Sequence, residues 1–147
     1  MDDLTKILLT SSLTVIGGVL VFVAGQSLGK FVIEPVHDLK KLIGEVRYAL
    51  VFHAQAIHTP VGDRTREDMA AETLRRLSCD LRSKVGAIPF YRLWSTISCG
   101  FLPSKHDAFA ASTELLGLSN SVHQPDRARN ADRVADIERL LKYEPVE

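Results

Sequence analysis

The sequence carries no net charge and few residues of the kinds on which common functional sites depend. Its 18 lysines and arginines balance 18 aspartates and glutamates, so no broad electrostatic field attracts nucleic acid. The two cysteines, Cys79 and Cys99, fit neither a CxxC spacing nor a metal site. We expect both to be reduced, buried side chains, as in proteins of a reducing compartment.

Several enzyme motifs are missing as well. The chain contains no Walker A loop, no GxGxxG and no HExxH, so it gives no support for a nucleotide-dependent or zinc-dependent enzyme. It also lacks strand-like alternation, internal repeats and low-complexity linkers. We therefore expect no metal and no cofactor, and a non-enzymatic function is favoured.

One long apolar segment stands out against this background. No ionisable side chain occurs between Lys6 and Lys30, and a helix over residues 7–29 would be about 34 Å long at about 1.5 Å per residue. That length exceeds the roughly 30 Å of a bilayer's hydrocarbon core, which predicts a transmembrane helix. The alternatives are a signal peptide, which fits poorly because no A-x-A-like site closes the run, and a buried core helix.

The flanks of this segment predict its orientation. Lysine and arginine are more frequent after it, at Lys30, Lys40, Lys41 and Arg47, than before it, at Lys6. Because positive residues are retained on the cytoplasmic side, we expect a single-pass protein of the bacterial inner membrane. Its short N-terminus lies outside and its C-terminal domain is cytoplasmic.

The remaining residues are enough for one compact core. We assign 1–34 to the N-terminal tail, the transmembrane helix and an exit segment, and 35–147 to a cytosolic helical bundle. The predicted helices cover 35–58, after a turn, and 65–85, 90–101, 104–119 and 126–143. The fold class is therefore all-α, with one N-terminal transmembrane helix followed by a bundle of about five helices.

Apolar periodicity selects the core faces of these helices. The expected core residues include Leu39, Leu42, Val46 and Leu50 in the first bundle helix, Ala70, Leu74, Leu77, Leu81 and Val85 in the next, Tyr91, Leu93, Trp94 and Ile97 in the aromatic one, and Val134, Ile137, Leu140 and Leu141 in the last. Glu67 is assigned to a charged opposite face. Ser104, with Asp107 three residues later, resembles a capping box.

Within the apolar segment, small residues fall on one side of the helix. Ser11, Thr14, Gly18, Gly25 and Gly29 lie within a sector of about 60°, and Gln26 lies about 60° beside it. We call these five residues the seam. Such stripes let helix backbones approach closely in lipid, so the seam and Gln26 are predicted to form an oligomer interface in the membrane. The alternative is that glycine is simply frequent in membrane helices.

Two residues suggest chemistry. Arg47 and His53 match the RxxxxxH pattern, in which the histidine could move a proton and the arginine could hold a phosphate. The pattern is short enough for about one chance match in a chain of this composition, and six helical steps separate the two side chains by about 120°. The structural alternative is a hydrogen-bonded core histidine beside a surface cation.

Together, the apolar segment with Gly25 and Gly29 and the pair Arg47 and His53 resemble the membrane-anchored HEPN-like accessory proteins found beside RNA-targeting CRISPR systems. The resemblance implies a small helical cytosolic domain and assembly into an oligomeric membrane pore. It also implies a ribonuclease motif at Arg47 and His53, although such accessory proteins need not retain nuclease activity.

Three functions follow as hypotheses. The first, which we favour, is a membrane effector of bacterial defence that homo-oligomerises through its span and bundle and perturbs the bilayer. The second is a membrane-tethered ribonuclease using Arg47 and His53. The third is a non-catalytic anchor that binds a protein partner through Arg75, Arg76 and Arg82.

Overall fold

The computed structural model describes residues 3–59, 62–97, 101–123 and 126–142. Every regular element in these ranges is helical, which confirms the all-α fold of an N-terminal apolar helix followed by a helical bundle. The elements are α1 (Asp3–Leu28), a π-helical turn (Gly29–Ile33), α2 (Glu34–Phe52), α3 (Ala54–His58), α4 (Arg64–Ala87), α5 (Tyr91–Ile97), α6 (Lys105–Ser121) and α7 (Arg127–Leu140).

The first three elements form one uninterrupted helix, Asp3–Phe52. No residue of α1 is buried by the rest of the chain, and the helix is long and apolar enough to cross a membrane. An unpartnered helix of this composition would expose a large apolar surface to water, which soluble proteins avoid. The exposure of α1 therefore distinguishes it from a core helix.

The predicted turn before Pro35 is wrong, because the helix continues through it. Proline lacks an N–H group, and its ring conflicts with the carbonyl four residues earlier in a regular helix. Here the π-helical turn comes directly before Pro35, and the Glu34 N–H bonds to the Gly29 carbonyl five residues back. The wider turn accommodates the proline without ending the helix.

The bundle core lies between α2, α4, α6 and α7. Their inward stripes follow the predicted periodicity, and the fully or almost fully buried side chains include Leu39, Leu42 and Val46 of α2, Leu74, Leu77 and Leu81 of α4, Leu115 and Leu118 of α6, and Ile137 of α7. Burying each such side chain contributes about 1.5–3 kcal/mol. The apolar stripes are thus the main stabilising element of the bundle.

Side-chain caps begin three of the helices. Asp63, Ser104 and Asp126 accept hydrogen bonds from the backbone N–H groups of Arg66, Asp107 and Arg129. The predicted cap at Ser104 is confirmed. Each cap satisfies one of the N–H groups that a helix start leaves free, which is worth about 1 kcal/mol.

The bundle has two distinct ends, defined by α2. At the proximal end, where α2 begins, Lys84 Nζ of α4 lies 3.1 Å from Asp38 Oδ2. Lys142 Nζ, after α7, donates to the Leu102 carbonyl over 3.4 Å. At the distal end, where α2 ends, α3 meets the beginning of α7. The chain from α5 to the start of α6 therefore lies close to the exit of the apolar helix.

Four side chains depart from their predicted burial. Leu93 and Ile97 are exposed, whereas Tyr91 is buried, because only one side of the short helix α5 packs on the bundle. Cys79 is a free, exposed cysteine rather than a buried one, because it lies about 200° round α4 from Leu77. Cys99 lies outside the described residues. Glu67 is buried and not part of a charged outer face.

Candidate functional site

The seam lies along α1 and reaches the start of the π-helical turn. Four of its residues are exposed and Gly29 is half-buried. A Cβ atom added at Gly18, Gly25 or Gly29 would meet no atom within 4 Å outside the neighbouring residues of the helix itself. The chain itself therefore places nothing against this side of the helix. Gln26, beside the seam, is exposed as well.

The hydroxyl groups of the seam are satisfied within the helix. Ser11 Oγ donates to the Ile7 carbonyl over 2.8 Å, and Thr14 Oγ1 donates to the Thr10 carbonyl over 2.9 Å. Such back-bonding removes the cost of placing a hydroxyl in lipid. These side chains can therefore pack closely against another helix without needing water.

The π-helical turn sets the angle between α1 and α2. Because its hydrogen bonds join residues i and i+5, this turn contains one residue more than an α-helical turn. Each later residue therefore lies about 100° back round the helix axis from its position in an uninterrupted α-helix, and we call this offset the lag. With that lag, four exposed residues of α2, His37, Gly44, Tyr48 and Val51, fall within the same sector of about 60° as the seam. Tyr48 and Val51 are 67% and 65% exposed. We call Gly44, Tyr48 and Val51, in the second half of α2, the outer face of α2.

The buried residues of α2 lie on the opposite side. Leu42, Val46 and Ala49, which pack on the bundle, are about 130–170° from the centre of the seam once the lag is included. In an uninterrupted α-helix, by contrast, Leu39 and Leu50 would approach the seam side. The π-helical turn thus rotates the bundle away from the seam, and the seam and the outer face form one continuous accessible strip.

His53 occupies the junction of α2 and α3. Its backbone leaves the helix (φ −95°, ψ 11°), and its ring packs edge-on against Phe52 with the centroids 5.0 Å apart. It lines a cavity of about 340 Å³ together with Phe52, Gln55, Ala56, Asp63, Arg66, Glu67 and Met69. Partial burial lowers the pKa of His53 below 6.5, because desolvation disfavours the imidazolium.

Arg47 is not among the side chains that line this cavity. It is half-buried on α2, almost two turns before His53. The cation that shares the cavity with His53 is instead Arg66, whose Nε lies 3.2 Å from Asp63 Oδ2, and the carboxylate of Glu67 lines the same cavity. Those carboxylates make the cavity a poor site for a phosphate, because like charges repel.

A polar network missed by the sequence reasoning lies at the distal end. The buried Glu67 accepts a hydrogen bond from the Gly62 N–H over 3.1 Å, and its other oxygen lies 3.5 Å from His123 Nδ1. His123 Nε2 lies 3.4 Å from Asp68. Gly62 has φ +79°, a conformation that glycine adopts without strain. The network fastens the loop before α4 to the end of α6.

Asn130 provides a second buried link. It is fully buried, its Nδ2 donates to the Ile57 carbonyl over 2.9 Å, and its Oδ1 accepts from Ser121 Oγ over 2.6 Å. One side chain thus joins α3, α6 and α7. Asn130 and Glu67 each continue the spacing of the apolar stripe of their helix. A polar residue at such a position is expected to be buried and hydrogen-bonded, so this spacing is the sequence feature that predicts both.

The three arginines predicted to bind a partner lie on the exposed side of α4. Arg75 Nη2 donates to Asn120 Oδ1 over 3.1 Å, and the Arg82 guanidinium lies 5.0 Å from the centre of the Phe109 ring. Both heads thus have contacts within the bundle. The groove beside Arg75 also contains Asp68 and Glu72, so this surface is mixed in charge rather than basic.

Two further kinds of site can be assessed. Residues 25–29 read GQSLG, the letter pattern of a hydrolase nucleophile elbow, but that elbow needs a sharp strand-to-helix turn, and Ser27 lies in the last turn of α1. Within the described ranges, no three His, Cys, Asp or Glu residues are grouped to hold a metal ion.

No protein-family model, curated protein or solved structure was found to match this chain. The feature of the chain itself that bears on function is the accessible strip formed by the seam and the outer face of α2.

Proposed function

We propose that this protein is a single-pass membrane protein that assembles into a parallel homo-oligomer through the seam and the outer face of α2. The segment 7–29 crosses the bacterial inner membrane, and the bundle lies in the cytoplasm. The assembly, rather than an enzyme site, is the functional form. A pore-type or membrane-perturbing effector in bacterial defence is the role that the resemblance implies for such an assembly.

The observation that carries this proposal is the alignment across the π-helical turn. Small residues within the apolar segment favour close approach of helices in lipid. Directly beyond, Tyr48 stacks on Phe52 with the ring centroids 5.5 Å apart, and both rings are exposed. Exposed aromatic residues are typical of interface centres. Copies inserted in the same orientation would bring equivalent residues of this strip together.

Cysteine cross-linking tests the interface directly. In a background with Cys79→Ser and Cys99→Ser, Ser11→Cys should form disulfide-linked dimers in membranes under mild oxidation. Ser12→Cys is the matched control, because it has the same chemistry and depth but lies about 100° further round the helix. Equal cross-linking at both positions, or monomeric protein in detergent by light scattering at all concentrations, contradicts the proposal.

The π-helical turn can be tested separately. Deleting Phe31 should convert the turn to regular α-helix and leave the angle between the bundle and the seam unchanged, because it removes the one inserted residue. Deleting both Phe31 and Val32 removes one residue more and should rotate the bundle by about 100° relative to the seam. We expect the bundle to stay folded in both variants and the dimer fraction to fall in the double deletion alone. Equal association of the two variants would show that the alignment has no role.

A further inference from the structure

The proximal end of the bundle exposes large apolar side chains around α5. Phe90 and Phe101, which flank this helix, are 81% and 78% exposed, and Leu93 and Ile97 on it are more than half exposed. We call these four residues the proximal patch. Soluble surfaces rarely collect so many aromatic and aliphatic side chains in one place, and such patches mark contact sites.

The proximal patch is continuous with the exit of the apolar helix. Ile97 and its neighbour Trp94 line a cavity of about 350 Å³ together with Val32 and Ile33 of the π-helical turn. Ile33 is four residues beyond Gly29, about 6 Å along the helix axis. The headgroup layer on each side of a bilayer is about 5–8 Å thick. A helix that crosses the membrane over 7–29 therefore places Trp94 at the depth of the headgroups.

Basic side chains surround these rings. Arg92 and Lys105 line a second cavity, of about 400 Å³, together with Phe90 and Leu93. Lys40 Nζ lies 5.1 Å from the centre of the Phe101 ring. Aromatic rings with lysine or arginine beside them are the side chains that proteins place at an anionic membrane surface.

We propose that the proximal patch docks on the surface of the same bilayer that holds the apolar helix. The exposed rings of Phe90 and Phe101 enter the headgroup boundary beside Trp94, which is half-buried against the core, and Arg92 and Lys105 contact the phosphates of anionic lipids. This inference rests on the membrane anchoring in the proposed function but not on self-association. Its consequence is that the bundle is held at a fixed angle to the membrane and does not swing freely about α2.

The chain contains a single tryptophan, so its fluorescence reports on Trp94 alone. The full chain is reconstituted in vesicles of phosphatidylcholine and phosphatidylglycerol, with bromine either near the headgroup end of the acyl chains or deep in them. We expect Trp94 emission to be quenched, and shallow bromine to quench more than deep bromine. Trp94 emission equal to that in bromine-free vesicles overturns the proposal and leaves the patch to a protein partner.

Two variants that move the single tryptophan, Phe22→Trp and Phe52→Trp, each combined with Trp94→Phe, distinguish the possible outcomes. Phe22→Trp lies within the apolar segment and should be quenched more by deep bromine; if it is not quenched, the anchoring itself fails and the docking fails with it. Phe52→Trp lies at the distal end and should escape quenching. If it is quenched as strongly as Trp94, the bundle lies flat on the membrane and the proximal patch is not the docking surface.

Lipid charge provides the last arm of the test. Replacing phosphatidylglycerol by phosphatidylcholine should reduce the quenching of Trp94. The double variant Arg92→Gln, Lys105→Gln should lose this dependence on lipid charge while keeping the helical content of the parent. Equal quenching of the parent in both lipid mixtures overturns the assignment of anionic headgroups.

Discussion

Apolar side chains lie on both sides of the second half of α2, yet their surroundings differ completely. Leu42 and Val46 are covered by the bundle, whereas Tyr48 and Val51 on the other side are about two-thirds exposed. A helix at the surface of a soluble bundle normally carries polar residues on its outer side. The outer face departs from this pattern although the bundle core forms without it, and this departure motivates the proposed contact with a second copy.

The largest effect is expected when the same charge is placed on each of the two faces of α2. Val46→Asp should destabilise the bundle by more than about 4 kcal/mol, because an unpaired carboxylate would be buried. Tyr48→Asp should change the free energy of unfolding by less than about 0.5 kcal/mol and should instead reduce the dimer fraction. Denaturant titration followed by Trp94 fluorescence measures the first effect, and light scattering the second. Equal loss of stability in both variants would remove the distinction between the faces.

The next effect concerns how the bundle is held together away from α2. Asn130→Leu should cost about 2 kcal/mol, because the Ile57 carbonyl and the Ser121 hydroxyl each lose a buried partner. Asn120→Leu is the matched control on the exposed side of α6 and should cost less than about 0.5 kcal/mol. Thermal unfolding of the two variants checks this prediction, which fails if Asn130→Leu is as stable as the parent.

A smaller effect is expected within the apolar segment, on association alone. Gly18→Leu should weaken self-association in vesicles by about 1–2 kcal/mol, or about 5–30-fold, because leucine would separate the helices at the proposed interface. Gly17→Leu is the control, since it lies outside the seam and both glycines have open space around them. Energy transfer between labelled copies measures the effect. Equal weakening by both substitutions would exclude the seam as the interface.

Much of the fold could be predicted because it depends on local patterns. The apolar stripes led by Leu39, Leu74 and Ile137 follow helical periodicity, and the cap at Ser104 depends on its spacing from Asp107. The continuous helix through Pro35 could not be predicted, because a proline favours the start of a new helix unless a π-helical turn accommodates it. The alignment of the outer face of α2 with the seam could not be predicted either, because it depends on the one residue that the π-helical turn inserts.

The chemistry was harder to predict than the fold. Glu67 and Asn130 both continue the spacing of a buried stripe, although the charge of Glu67 favours an outer face. Their partners His123 and Ile57 come from distant parts of the chain, which only the tertiary structure brings together. Cleavage of RNA through Arg47 and His53 stays a prediction. It would require loss of cleavage in both Arg47→Ala and His53→Ala variants with the fold intact.

The smallest predicted effect concerns His53, at the end of α2. Its pKa is lowered in the folded chain by burial, so between that pKa and 6.5 the unfolded chain binds more protons than the folded one. The contribution to stability is therefore fully present above about pH 6.5 and is lost as the pH falls through the lowered pKa. Asp63, Arg66 and Glu67 line the same cavity and face His53 from the start of α4.

Unfolding measured at pH 7.5 and at lower pH should show this loss in the parent, and His53→Gln should reduce it. His37→Gln, an exposed histidine at the other end of α2, should leave it unchanged. If His37→Gln reduces the pH dependence as much as His53→Gln, the effect does not come from burial at the distal end. In that case the two ends of α2 are equivalent in their response to protons, and the desolvation of His53 has no measurable consequence.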